Sequence, residues 1–152
     1  VWRPAIDATQ GVTDTWQAAL ALMRFIHAEL KYEPNSTDVH THARDVLREK
    51  RGVCQDFAHV MLSLCRALKI PALYVSGYLA TEQARATHAW VEVLIPGIGW
   101  RPLDPTHNSQ PGETYIKIAV GRDYADVAPL TGHYKGTTDR RMAVLVDIKR
   151  LD

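Results

Sequence analysis

The hydrophobic period changes partway along the chain, at Pro71, and that change limits the folds open to it. Over residues 54–69, Phe57, Ala58, Met61, Leu64, Cys65 and Leu68 recur on one helical face. Pro71 stops this pattern, and residues 72–79 (ALYVSGYL) are rich in β-branched and aromatic types. Residues 87–95 then alternate. Ala89, Val91, Val93 and Ile95 lie to one side, His88, Trp90, Glu92 and Leu94 to the other. Residues 96–99 form a turn, 100–103 its returning strand, and 115–120 and 142–148 further strands. Residues 121–139, with Gly121, Pro129, Gly132 and Gly136, read as loop.

Upstream, Trp16, Ala19, Leu20, Met23, Ile26 and Leu30 mark a helix that starts at Thr13 or Asp14 and runs to about Tyr32. Pro34, Asn35 and Ser36 break it. A second helix is expected from Thr37 or Asp38 to about Lys50, ended by Arg51 and Gly52. Helices first and an antiparallel sheet afterwards make an α+β chain. Residues 1–13 read as a connector from an upstream domain, and 14–152 as one domain. The start at Val1, with no leader pattern, reads as part of a longer protein.

Charge excludes some functions. Lys plus Arg number 18 and Asp plus Glu 17, a net +1, so nucleic acid and anionic membrane are not expected partners. No apolar run reaches the roughly 18 residues that span a bilayer. Two cysteines are no disulfide framework and suit a reducing, cytoplasmic compartment.

Three residues could act together. Cys54 opens the central helix, where free N–H groups and the helix dipole favour a thiolate and can receive an oxyanion. Taken alone it is as well explained as a core thiol. Cys65 stands three turns on, about 16 Å along the axis. A disulfide needs Cα atoms within roughly 7 Å, so Cys65 is read as core. His88 sits in a strand, which holds a base rigidly, and Asp104 lies past the turn. Facing residues of a hairpin have a constant index sum. If that sum is even, such as 192 or 194, His88 and Asp104 share a face; if odd, they are on opposite faces. The site therefore demands an odd-length connection near residues 96–99, or a bulge.

The segments RGVCQDFAHVMLSLCRALKIPALYVSGYL, THAWVEVLIPGIGWRPLDPTHN and YIKIAVGRDYADVAPLTGHYKG together resemble the transglutaminase-like superfamily, in its bacterial branch, over residues 14–150. The resemblance implies a papain-like α+β core, an upstream β-rich domain, and thiol acyl chemistry. Cys54 would be nucleophile, His88 base and Asp104 its orienting group. The expected reaction is hydrolysis of peptide or amide bonds in a peptide or protein substrate. The alternatives are transfer to an amine, as in a transglutaminase, and a non-catalytic binding module on the same fold. Gln55 and Tyr78 are candidates for the oxyanion or the cleft. Trp90, which shares the parity of His88, is a candidate cleft wall, and the loop with Arg122, Asp123, Tyr124 and Asp126 a candidate border. His107 is a weaker rival to His88. No cofactor or metal is expected: His40 and His42, two apart on a helix, do not face one ligand site, and no calcium loop is visible.

Overall fold

The computed structural model describes residues 2–38, 41–80, 85–128 and 148. Its elements are α1 (Trp2–Ala8), α2 (Thr15–Glu29), β1 (Lys31–Tyr32), α3 (Ala43–Glu49), β2 (Arg51–Gly52), α4 (Cys54–Ala67), β3 (Ala72–Ala80), β4 (Arg85–Ile95), β5 (Gly99–Leu103), β6 (Tyr115–Gly121) and α5 (Tyr124–Val127). The four long strands form one antiparallel sheet in the order β5-β4-β3-β6, and β1 and β2 form a small parallel pair. Helices first and sheet second is the α+β order read from the sequence.

The central helix α4 is buried over most of its surface, with Phe57, Ala58, Val60, Met61, Leu62, Leu64 and Cys65 in the interior. Its neighbours are α2, whose Leu22 and Ile26 are fully buried, and one sheet face, from which Ala89, Val91, Val93 and Ile95 project. Period 2 in β4 thus sends one set of residues into the helix-packed core. Trp90 and its β3 partner Val75 are buried on the other face.

Several boundaries differ from the sequence reading. The expected connector contains α1, whose Ala5 is fully buried in the core. Pro4 falls in its first turn, where a missing N–H costs nothing. Asp14 caps α2 as expected, accepting the Gln17 N–H at 2.8 Å. That helix stops at Glu29, because Lys31 and Tyr32 pair with Arg51 and Gly52. The second helix starts at Ala43 with His42 as its cap residue, since Asp38 and Thr41 form a separate hydrogen-bonded turn. A short helix, α5, stands in the expected loop and is capped by Asp123. The strand expected at 142–148 lies outside the described residues, apart from Ile148. Among the described residues, no helix is long and apolar enough to cross a membrane.

Candidate active site

Cys54 is the first residue of α4 and is half-buried. The helix begins there because Val53 is extended and its backbone N–H is taken by the Asp56 carboxylate at 2.8 Å. Asp56 also accepts the Thr37 hydroxyl at 2.5 Å and is 1% exposed. Gly52 makes room for it: a Cβ there would sit 2.7 Å from Asp56 Cβ and 2.8 Å from its Oδ2. The approach to Cys54 is pinned further by β2, whose Gly52 carbonyl accepts the Glu33 N–H at 2.9 Å. Asp56 is an acid in the first turn of α4, a favourable place for any carboxylate. Its reach back to Val53 makes it a specific anchor for the Cys54 turn.

The register of the β4–β5 hairpin decides the other half. Val91 faces Leu103 and Ile95 faces Gly99, a constant index sum of 194. Three residues, Pro96, Gly97 and Ile98, connect the strands. Gly97 and Gly99 take positive φ angles of 74° and 93°, a region open to glycine. The sum is even, so His88 and Asp104 are diagonal neighbours on one face. Their side chains meet, with His88 Nε2–H donating to Asp104 Oδ2 at 2.7 Å. The Cys54 side chain lies close enough to act on the same imidazole. Since Nε2 is committed to Asp104, the nitrogen left for the thiol is Nδ1.

Electrostatics follow from these contacts. Burial pulls His88 down, but the Asp104 hydrogen bond, the nearby Cys54 side chain and the negative charge of both outweigh it and raise the imidazole to about 9. Burial pushes Asp104 up, yet donors from His88, His107 and Tyr115 hold it down at about 2. Cys65 is fully buried, and burial pushes its thiol up to about 12.

Trp90 lies beside His88, with ring centroids 6.1 Å apart and planes 26° apart. Tyr115 meets Trp90 edge-on at 5.4 Å. Gly77 permits this layer, because a Cβ on it would lie 2.6 Å from the Trp90 ring and 2.1 Å from the Ile116 carbonyl oxygen. Trp90, the candidate cleft wall, is buried and lies against the imidazole. Tyr78 pairs with Thr87, the residue before His88, and so projects from the opposite face of the sheet. Gln55 is half-buried in the first turn of α4, next to Cys54. Tyr32, which sequence reading missed, feels the Cys54 charge: burial first, then that charge, raises its phenol.

His107 also reaches the acid. Its Nδ1–H donates to Asp104 Oδ2 at 2.7 Å, and its ring lies 5.0 Å from that of His88. His88, Asp104 and His107 are the residues whose ligand-type atoms converge, all within 4.8 Å of one another, among the described residues. Both imidazole nitrogens bond to Asp104 Oδ2, so each of these three atoms is engaged in a hydrogen bond. A cavity of about 640 Å³ lies further along α4, lined in part by His42, His59, Arg66 and Tyr124. It includes none of Cys54, His88 or Asp104.

A Cys at the start of a central helix, facing a His and an Asp on adjacent antiparallel strands, is the papain-like transglutaminase core. Residues 4–105 match the model of the transglutaminase-like superfamily, and the chain belongs to that superfamily. It is 42% identical over 144 residues to an uncharacterised protein of Mycobacterium leprae, covering 89% of this chain and 50% of that one. A protein-glutamine gamma-glutamyltransferase of Pseudomonas aeruginosa is 32% identical, over 82% of this chain and 22% of the relative. Among solved structures, a provisionally assigned cysteine protease from Cytophaga hutchinsonii superposes with a TM-score of 0.77 at 37% identity, over 84% of this chain and 43% of that one. The chain therefore spans half or less of the length of these relatives.

Proposed function

We propose that the chain performs thiol-dependent acyl transfer at amide bonds of a peptide or protein, with water as the acceptor. The observation that carries this reading is His88 held between Asp104, at 2.7 Å, and Cys54. In this reading the Cys54 thiolate attacks a carboxamide carbon. The Cys54 backbone N–H, which has no intrahelical partner in the first helical turn, receives the oxyanion. The charged His88 gives its Nδ1 proton to the leaving amine, and a thioester remains on Cys54. Water then attacks the thioester carbonyl, His88 takes its proton, and the acid leaves with the thiolate restored. Asp104 holds the imidazole in the tautomer that presents Nδ1 to sulfur.

Half-exposure of Cys54 supports water as acceptor, and so does the likeness to a provisionally assigned cysteine protease. The likeness to a protein-glutamine gamma-glutamyltransferase supports a second reading, in which an amine takes the acyl group. A peptide library incubated with and without a primary amine, read by mass, separates the two. Cleavage or a gain of one mass unit at glutamine supports hydrolysis. Amine incorporation in preference to both supports transfer. No product above that of Cys54→Ala overturns the enzyme reading.

A further inference from the structure

Asp104 Oδ2 accepts three side-chain donors at 2.7 Å each: His88 Nε2–H, His107 Nδ1–H and the Tyr115 hydroxyl. Its other oxygen, Oδ1, takes the backbone N–H groups of Thr106 at 2.8 Å and His107 at 3.3 Å. A carboxylate offers about four lone-pair sites in all. Five donors therefore leave it no freedom to rotate, and the three on Oδ2 divide one oxygen's charge.

We propose that His107 and Tyr115 are positioning residues that share Asp104 with His88, fixing the carboxylate in line with the imidazole and limiting how much of its charge the base receives. The inference rests on the reading of Cys54, His88 and Asp104 as the reacting set. Neither residue has a part in the chemistry proposed above. A surface histidine has no need to turn Nδ1 inward, yet His107 does so while its side chain stays 48% exposed. Tyr115 comes from β6, two strands away from β4, and also meets Ser109 Oγ at 3.2 Å. It therefore joins the far edge of the sheet to the 104–109 turn.

Among the described residues, the groups facing His88 are few. Cys54 comes from α4, Asp104 from the end of β5, His107 from the next turn and Tyr115 from β6, with the uncharged Trp90 ring from β4 itself. From α2, His27 Nδ1 meets the Thr106 carbonyl at 3.0 Å and steadies the same turn. Taking one donor off Oδ2 leaves more charge for His88, whose imidazolium then persists to higher pH.

The test uses Tyr115→Phe, His107→Leu and His107→Asn, the last keeping an N–H near the place of Nδ1. Two readouts are needed. Imidazole NMR titration of His88 in a Cys54→Ser background does not depend on catalysis. Its midpoint should rise by about half a unit or more in Tyr115→Phe and His107→Leu, and return toward the parent in His107→Asn. With Cys54 intact, kcat should fall about 3- to 30-fold with KM unchanged, and the alkaline limb of kcat/KM should move up. A His88 midpoint that stays fixed or falls in both donor-deleting variants overturns the inference. Equal activity of Cys54→Ser and the parent overturns the underlying reading instead, and the NMR result still decides the sharing of Asp104.

Discussion

Asp56 and Asp104 are both buried carboxylates, 1% and 0% exposed, and each closes one half of the site. Their partners differ in kind. Asp56 is met by a backbone N–H and one hydroxyl, both from residues with no place in the chemistry. Asp104 is met by two imidazoles, a phenol and two backbone N–H groups. The first arrangement fixes a helix start and is architectural. The second couples titratable groups, so its state changes with pH and, in the proposed chemistry, with reaction. Burial alone does not mark a carboxylate for the proposed chemistry; the kind of donor it gathers does.

The sharpest way to break this comparison is to neutralise each acid. Asp104→Asn should lower kcat/KM by about three to four orders of magnitude while far-UV circular dichroism stays native, because the amide cannot hold the His88 tautomer. Asp56→Ala should act mainly on stability. It strips a partner from the Val53 N–H and the Thr37 hydroxyl, which costs about 1–3 kcal/mol in urea unfolding. Its loss in kcat/KM should be well below that of Asp104→Asn. If the two variants lose activity equally while folded, the division between architecture and chemistry is wrong.

A smaller effect sharpens the same contrast through pH. His88 is raised in the folded protein to about 9, so the stability its charge contributes is complete below its ordinary value of 6.5 and is lost as pH rises through about 9. Asp104 is lowered to about 2, so its contribution holds above its ordinary 3.8 and is lost as pH falls through about 2. The stability gap between the parent and His88→Gln should therefore narrow between about pH 6.5 and pH 9.5 in urea titrations. A gap that is flat across that window contradicts the coupling.

Much of this half of the molecule was legible because it is local. The helical stripe from Phe57 to Leu68 placed Cys54 at a helix start, and hairpin arithmetic reduced the His88–Asp104 question to the length of one turn. The three-residue turn at Pro96, Gly97 and Ile98 supplied the even sum. What the sequence hid depends on distant partners. Asp56 is completed by Thr37, 19 residues earlier. The end of α2 is set by strand pairing between Tyr32 and Gly52. Tyr115 reaches Asp104 only through the β3–β6 pairing, whose register shifts between Ser76 and Gly77. No local pattern encodes that shift. His107 alone carried a local signal, three residues after Asp104, and it was weighed as a rival base rather than as a second donor to the acid.

The two thiols of α4 give the most direct test of the central claim, that Cys54 works with His88 as one unit. Both cysteines are measured in the same molecule, by mass-resolved alkylation with iodoacetamide over a range of pH, in the parent and in His88→Ala. The account predicts that at about pH 6–7 Cys54 reacts at least roughly tenfold faster than a free thiol. It also predicts that His88→Ala removes this advantage and that Cys65 stays unmodified in the folded protein. Alkylation of Cys54 no faster than a free thiol, and unchanged by His88→Ala, would contradict it.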